Sequence, residues 1–233
     1  MIGSVAVIHG DRPDNREVEQ LNSWCKPRGI LWLKGYTGTE RVPICEVLSG
    51  SSGDVIHKES GIIYHIDPSR VMFAQGNREE KARISRLIRN NDAGERVADM
   101  FAGIGYFTLP AAAAGARVHA MEINPVAFGY LSRNIPANNL EGRIHAECGD
   151  CRNLLSGKYD RIIMGHFDAI GMLSDALDHA DCGSTIHLHS IGDQEKVIRK
   201  IAAGAGFDPV IEIRRVKKYG PGTWHFVQDV VLK

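Results

Sequence analysis

The sequence has no excess of positive charge, because its 28 lysine and arginine side chains are balanced by 28 aspartate and glutamate side chains. A protein that holds nucleic acid through bulk charge alone is therefore excluded, although a local basic patch is not. Cysteine is also scarce, since only five cysteines are spread over 233 residues. This odd, sparse set excludes a disulfide scaffold and favours a reducing, cytoplasmic location.

Long apolar runs and targeting signals are missing as well. Residues 1–14 contain neither a basic segment nor a long apolar core, so we expect no signal peptide. The most apolar stretch, residues 100–116, is interrupted by Pro110 and bracketed by Asp99 and Arg117. It is shorter than a membrane span needs to be. We expect it to form a buried turn and helix, and we expect no membrane partner.

Motifs of several other protein classes are absent. Neither Gly-x-Ser-x-Gly nor the phosphate-binding Gly-x-x-x-x-Gly-Lys-[Ser/Thr] occurs, which argues against a serine hydrolase and a P-loop NTPase. Cys148 and Cys151 form a single Cys-x-x-Cys pair without a second pair at metal-ligand spacing. His187 and His189 share one face of a predicted strand but lack a third ligand at a characteristic spacing. We therefore expect no metal.

The hydrophobic pattern divides the chain into two regions, with a predicted domain boundary at residue 70. Residues 1–70 predict a small α+β module, with one helix over residues 14–25 and short strands around it. From residue 77, a helix with basic side chains is followed by alternating strands and helices. This order predicts an α/β domain, residues 71–233, whose mostly parallel sheet is covered on both faces. Two final β segments, without a helix between them, predict a closing antiparallel hairpin.

The first strand-to-helix junction of the second region reads VADMFAGIGYF and predicts a cofactor site. Gly103 and Gly105 allow a ligand to approach the backbone closely, although such glycines often serve packing alone. The third glycine of a dinucleotide fingerprint is replaced by Thr108, which disfavours NAD and FAD. Asp99 precedes the turn, where a carboxylate would repel a pyrophosphate and suit a cationic ligand.

Acidic residues also follow the next two strands. Glu122 lies near the offset at which a carboxylate accepts two ribose hydroxyls, and Asp150 is placed to accept from an adenine amino group. Each of these acids alone fits a helix cap equally well. Three at successive strand ends describe an adenosine without phosphates, attached to an amino acid with a positive centre. This ligand is S-adenosylmethionine.

The runs DMFAGIGYF, EINPVA and GDCRN resemble those of class I S-adenosylmethionine-dependent transferases. More narrowly, VMFAQGNREEKARI and KKYGPGTWHFVQDVVLK are similar to the archaeal and eukaryotic tRNA family that modifies the guanosine just 3′ of the anticodon. The resemblance covers residues 62–233 and, more weakly, the module before them. It implies a Rossmann-like class I methyltransferase fold with a seven-stranded sheet. It also implies tRNA as the partner, tRNA(Phe) in particular, with the N-terminal module contacting it.

The resemblance assigns further cofactor contacts. Lys81 lies at the family's basic position and is a candidate partner for the methionine carboxylate, although a solvated helix face is the alternative. Ala74 stands where the family usually has serine, so it offers only its backbone. The full set of expected cofactor-binding residues is Phe73, Ala74, Lys81, Asp99, Phe101, Gly103, Glu122, Ile123, Asp150, Cys151 and Gly165.

The end of the fourth strand bears on the chemistry. Methylating relatives have asparagine and proline there, whereas this sequence reads Met164-Gly165-His166-Phe167. The branch that transfers the 3-amino-3-carboxypropyl group of S-adenosylmethionine has glycine at this position. The resemblance therefore favours transfer to C7 of 4-demethylwyosine, with release of methylthioadenosine. His166 and Asp168 are the candidates for removing the C7 proton.

Two alternatives remain open at this point. One is guanine N1-methylation at the same tRNA position, and the other is a non-catalytic module that binds S-adenosylmethionine or RNA. RNA contacts are expected from a basic patch of Arg214, Arg215, Lys217 and Lys218 beside Tyr219, with Arg83, Arg86 and Arg89 as further phosphate contacts. A solvated strand edge is the alternative for the patch. We expect a monomer.

Overall fold

The computed structural model describes residues 1–73, 75–91, 94–220 and 222–233, without the side chains of Gln75 and Tyr219. Ala74, an expected cofactor contact, and the side chain of Tyr219, expected in the basic patch, therefore lie outside the described residues. None of the helices in the described part of the chain is long and apolar enough to cross a membrane.

The N-terminal region contains two small sheets and one helix. Strands β1 (Val5–His9), β2 (Gly29–Thr37) and β3 (Val42–Gly50) form one sheet, and β4 (Val55–Glu59) pairs with β5 (Ile62–Ile66) in an antiparallel hairpin. Helix α1 (Asn15–Cys25) begins where predicted because Asp14 and Glu17 form a capping box. The Asp14 carboxylate accepts from the Glu17 amide at 2.8 Å, which satisfies one of the free amides of the first turn.

The larger sheet has the predicted seven strands. These are β6 (Arg96–Asp99), β7 (Arg117–Glu122), β8 (Ile144–Cys148), β9 (Tyr159–Met164), β10 (Ala180–Ile191), β11 (Val210–Gly220) and β12 (Thr223–Val231). They lie in the order β11-β12-β10-β9-β6-β7-β8, and strands β6 to β10 are mutually parallel. Strand β12 runs antiparallel to both β10 and β11, so the closing hairpin is confirmed.

Helices cover the sheet and set the direction of each crossover. They are α2 (Arg78–Arg89), α3 (Thr108–Ala113), α4 (Pro125–Ala137), α5 (Cys151–Leu154), α6 (Leu173–Leu177) and α7 (Glu195–Gly204). The chain passes from β6 to β7 and β8 on one side and then returns to β9 on the other side of β6. The carboxyl ends of β6 and β9 therefore meet at a topological switch point, where ligands bind in folds of this kind.

Two local features were not predicted from the sequence. A 3-10 helix, Ala169–Met172, precedes the short α6. The tighter turn is visible in the Gly171 amide, which donates to the Asp168 carbonyl at 3.2 Å. The one-turn helix α5 was not anticipated, because four residues are too few to show helical periodicity.

The hydrophobic core lies on both faces of the large sheet. One cluster joins Leu31, Val55 and Tyr64 of the N-terminal region to Val97 and Leu131 of the larger region. A second cluster fills the opposite face. Because the first cluster runs across residue 70, the boundary at that point stays a prediction.

Candidate active site

Asp99 ends β6 at the switch point and is completely buried. Its carboxylate accepts from the Thr108 hydroxyl at 2.6 Å and from the Phe101 amide at 3.4 Å. Burial raises the pKa of Asp99 to about 6, although these hydrogen bonds oppose the shift. A cation placed beside this carboxylate would favour its ionised form. The ammonium of the methionine moiety is such a cation.

The glycine turn after Asp99 is shaped by close packing. Gly103 has a φ of +58°, and a Cβ there would lie 2.2 Å from the Tyr106 ring. Gly105 has a φ of +103°, and its Cβ would lie 2.7 Å from the Leu109 side chain. Both positions thus need glycine for conformation and for space. Packing alone therefore explains both glycines. A ligand could still lie over the same turn.

Glu122 ends β7 and binds the glycine turn directly. Its Oε2 accepts from the Gly103 amide at 2.7 Å, and its Oε1 accepts from the Asn124 amide at 2.8 Å. Each carboxylate oxygen has a second lone pair, so two acceptor positions remain, which is the number that a ribose diol needs. Burial raises the pKa of Glu122. Ile123 follows with 44% of its surface exposed, which leaves an apolar surface beside the carboxylate.

Asp150 follows β8 and caps α5. Its carboxylate accepts from the Arg152 amide at 3.0 Å and pairs with the Arg152 guanidinium, which holds the pKa of Asp150 below its usual range. Its role toward adenine stays a prediction, because much of its acceptor capacity is used within the chain. Cys151, beside it, is buried, and burial raises its pKa to about 11.

Lys81 does not lie on a solvated helix face. It is buried on α2, its ammonium forms an ion pair with Glu59, and it stands 5.2 Å from the centre of the Phe73 ring. Burial lowers the pKa of Lys81, and Glu59 opposes that shift. A cofactor carboxylate would therefore meet a lysine that already has an anionic partner, and the assigned contact stays a prediction.

The loop after β9 places Gly165 and His166 beside two aromatic rings. A Cβ on Gly165 would lie 3.4 Å from Phe107, an ordinary contact, so glycine is not required there by packing. The His166 ring stacks on Phe101, with 5.4 Å between the ring centres and 28° between their planes. This places three of the predicted site residues at the switch point.

The predicted proton acceptors differ in their surroundings. The Asp168 amide donates to His166 Nδ1 at 3.2 Å, so in the neutral ring the proton lies on Nε2. That Nε2 is buried without a hydrogen-bond partner among the described residues. Burial, reinforced by Arg41, lowers the pKa of His166. The Asp168 side chain is 92% exposed. For His166 to act as a base through Nδ1, the hydrogen bond from the Asp168 amide must break. The roles of His166 and Asp168 as proton acceptors stay predictions.

The N-terminal module reaches the same loops, which sequence reasoning missed. The turn between β2 and β3 places the Arg41 guanidinium 5.3 Å from the centre of Tyr36 and 6.0 Å from the centre of Phe167. The carbonyl of Glu40 accepts from the Asn124 side chain at 3.1 Å. Because Arg41 and Phe167 are 126 positions apart and Glu40 and Asn124 are 84 apart, no local sequence pattern predicts these two contacts.

The two strand histidines have different partners. His187 lies between Asp229 and Arg161, each at 2.5 Å. His189 Nδ1 lies 3.0 Å from His225 Nε2, and His225 packs edge-on against Phe167 with 4.9 Å between ring centres.

Two side chains of the basic patch are exposed, and the other two make contacts within the chain. Arg215 and Lys218 are exposed, and the Arg215 guanidinium lies 5.5 Å from the centre of Trp224. Arg214 is paired with Glu212, and Lys217 is half-buried beside Gly76, where a Cβ would lie 2.5 Å from its Nζ.

The structure argues against the expected phosphate contact of Arg83. Its guanidinium is held by the carboxylates of Glu80 and Asp229, at 2.5 Å and 2.6 Å, whereas Arg86 and Arg89 are exposed. An arginine neutralised by two carboxylates has little capacity left for a phosphate.

Comparisons with known proteins identify the family. The TRM5/TYW2 methyltransferase domain matches residues 55–207. The tRNA(Phe) (4-demethylwyosine(37)-C(7)) aminocarboxypropyltransferase of Methanocaldococcus jannaschii is 32% identical over 98% of this chain and 95% of that protein. Among solved structures, M. jannaschii TYW2 in complex with AdoMet (S-adenosylmethionine) gives a TM-score of 0.77 at 28% identity, with 100% of this chain and 97% of that chain covered.

The fold is shared with a Trm5 protein as well. The complex of aTrm5 with tRNALeu gives a TM-score of 0.86 at 29% identity and covers 100% of this chain and 71% of that chain. The expected family, the seven-stranded fold and S-adenosylmethionine as co-substrate are thereby confirmed. The chain belongs to the TRM5/TYW2 family and is an S-adenosylmethionine-dependent transferase.

Proposed function

We propose that this transferase moves the 3-amino-3-carboxypropyl group of S-adenosylmethionine to C7 of 4-demethylwyosine in tRNA(Phe). The observation that carries the proposal is the space at Gly165, at the end of β9, where the resemblance described above assigns asparagine to the methylating branch. The absence of a side chain leaves the space in front of Phe107 to the methionine arm or to a tricyclic base. The M. jannaschii relative, which is similar over almost its whole length and is named as an aminocarboxypropyltransferase, supports the same reaction.

The chemistry is a displacement at the γ-carbon of the methionine moiety. C7 of the base forms a bond to the γ-carbon, the bond from sulfur to that carbon breaks, and methylthioadenosine leaves. The C7 proton is lost to a base, for which His166 and Asp168 are candidates. Because a sulfonium is a good leaving group, the main task of the protein is to align carbon with carbon.

The chain's own residues supply that alignment in this proposal. Asp99 attracts the ammonium of the methionine moiety, and Glu122 accepts from the ribose hydroxyls. Held at both ends, the cofactor turns its γ-carbon toward the space beside Gly165. The tRNA would lie across Arg215 and Lys218, with the N-terminal module contacting it from the turn at Arg41. We place the reaction in the cytoplasm, in keeping with five free cysteines.

Two labels in the cofactor test the proposal. The protein is incubated with tRNA(Phe) carrying either guanosine or 4-demethylwyosine, and with S-adenosylmethionine labelled in the methyl or in the carboxyl carbon. We expect carboxyl label alone to enter the tRNA that carries 4-demethylwyosine, with methylthioadenosine as by-product. Methyl label entering the guanosine tRNA, with S-adenosylhomocysteine, would establish guanine methylation instead. Cofactor binding without transfer to either tRNA would identify a non-catalytic module.

A further inference from the structure

A second cluster of ligand-type side chains lies outside the cofactor site, at the edge of the large sheet. His119 on β7 and His145 on β8 are direct cross-strand neighbours, and Glu147 lies two residues further along β8 on the same face. Their ligand atoms all lie within 4.8 Å of one another. None of these residues has a part in the transfer reaction as described above.

The distances between these atoms suit a small metal ion. His145 Nε2 lies 3.3 Å from Glu147 Oε2, and His119 Nε2 lies 2.7 Å from the same oxygen. Bonds of about 2.0–2.1 Å in a tetrahedral zinc site separate neighbouring ligand atoms by roughly 3.3 Å. Of the three pairs, one already has this separation, and a second needs to open by about half an ångström, which the half-exposed Glu147 side chain can supply by rotation. The third pair, between the two histidines, lies within 4.8 Å.

The second ring nitrogen of His119, Nδ1, has a hydrogen-bond partner, as is usual for histidines that bind metals. Its Nδ1 lies 2.7 Å from the Tyr159 hydroxyl, and that hydroxyl also accepts from the Ser156 amide at 3.2 Å. A partner at Nδ1 fixes the ring orientation and allows the proton to stay on that nitrogen, so that Nε2 can present its lone pair. His119 is buried whereas the His145 side chain is 73% exposed, so an ion can enter from solvent.

The ligand types and the nearby charges bear on the kind of ion. Arg96 lies 4.6 Å from the centre of the Tyr159 ring, and Arg117, Arg143 and Glu141 line the same depression. Two neutral imidazoles and one carboxylate leave a divalent ion with one net positive charge, which the arginines oppose and Glu141 favours. Two of the three ligand atoms are imidazole nitrogens, which suit Zn²⁺ and its chemical neighbours, whereas Ca²⁺ and Mg²⁺ take oxygen ligands. The same arginines would favour an anion or hydroxide in the fourth position.

We propose that His119, His145 and Glu147 form a binding site for Zn²⁺ or a similar transition-metal ion, with a fourth position open to solvent. The ion joins the edge strand β8 to β7. Sequence inspection could not find the site, because two of its ligands lie 26 residues apart on different strands. It is separate from the reaction centre, since His119 precedes Glu122 by three residues, about 10 Å along the strand.

Zinc titration of the 233-residue chain tests the proposal. The chelator-treated protein is titrated with Zn²⁺ in competition with a chromophoric chelator, and Co²⁺ is used as a spectroscopic probe. We expect one equivalent of Zn²⁺ and the intense visible absorption of four-coordinate Co²⁺. His145→Ala and Glu147→Gln should each weaken binding at least about tenfold. Tyr159→Phe should weaken it roughly 10–100-fold, as loss of a partner behind a ligand usually does.

Matched variants separate this site from other ligands. His9→Ala removes an exposed histidine of another sheet, and Cys148→Ser removes an exposed thiol one residue after Glu147; both should bind Zn²⁺ like the wild type. Unchanged affinity in His145→Ala and Glu147→Gln would overturn the proposal, as would loss of binding in Cys148→Ser. In that case His119, Tyr159 and Glu147 form only a chain of hydrogen bonds. A zinc-dependent rise in the melting temperature, present in the wild type and absent in His145→Ala, would support the proposal.

Discussion

Asp99 should make cofactor binding depend on pH. In the free protein, burial raises its pKa to about 6, so at pH 5 about nine-tenths of the molecules carry a proton on this carboxyl. A methionine ammonium beside Asp99 prefers the ionised carboxylate, so binding at pH 5 has to release that proton. We therefore expect affinity for S-adenosylmethionine to be about tenfold lower at pH 5 than at pH 7.

The same shift has a consequence for stability. An aspartate in the unfolded chain titrates near 3.9, so the folded protein binds more protons between about pH 4 and pH 6. The contribution of Asp99 to the free energy of unfolding therefore falls as pH rises through this window. A difference of about two pKa units corresponds to roughly 3 kcal/mol for this fully buried group. Asp99→Asn should remove that pH dependence.

Calorimetry can check both statements. Binding is measured at pH 5, 6 and 7 in buffers of different ionisation enthalpy, which reports the number of protons released. The ammonium of the cofactor remains charged across this range, so it does not contribute to the slope. The Asp99→Asn variant should bind more weakly at pH 7 and show a flatter pH profile, with the remainder due to Glu122, whose pKa is also raised. Equal wild-type affinity at pH 5 and pH 7, or an unchanged slope in Asp99→Asn, would refute the reasoning.

Three further predictions concern individual side chains. Glu122→Ala should weaken S-adenosylmethionine binding strongly, because each lost charged hydrogen bond to a ribose hydroxyl costs about 1.5–3 kcal/mol. Asp150→Ala should weaken binding less. A larger loss of affinity in Asp150→Ala than in Glu122→Ala, measured by titration calorimetry, would contradict this ranking. Gly165→Asn should reduce aminocarboxypropyl transfer in a labelled-tRNA assay while the protein stays folded by circular dichroism, because a Cβ there meets only ordinary contacts. Unchanged transfer by this variant would show that the space at Gly165 is not used. Charge reversal at Arg215 and Lys218 should lower tRNA affinity and its salt dependence without changing cofactor affinity; normal tRNA binding at several salt concentrations would identify the patch as a solvated edge.

Local sequence patterns predicted the large sheet well, because strands and helices alternate with clear periodicity and each strand ends near a polar residue. The positions of Asp99 and Glu122 follow from this rule, since the carboxyl ends of parallel strands share one edge of the sheet. The capping box at Asp14 was likewise readable, because its two partners lie three residues apart. Features within one element and its flanking turn are thus accessible from sequence.

Features that depend on the approach of distant segments were not accessible. Lys81 could be expected on a helix, but its burial against Glu59 depends on how α2 meets β4. Arg83 looked like one of three equivalent basic side chains until Asp229, 146 residues away, was placed beside it. The turn at Arg41 and the pair of His119 with His145 have the same origin, because pairing between segments creates each of them.

The Asn124 side chain is one of several that connect the N-terminal module to the larger region. Its Oδ1 accepts from the Val126 amide at 2.8 Å and so starts α4, while its Nδ2 donates to the Glu40 carbonyl of the N-terminal module. The backbone amide of Asn124 donates a hydrogen bond to Glu122 Oε1. If a ligand that binds Glu122 also orders the turn that holds Glu40, thermodynamic reciprocity requires that a partner bound to the N-terminal module changes cofactor affinity by the same factor as the cofactor changes affinity for that partner.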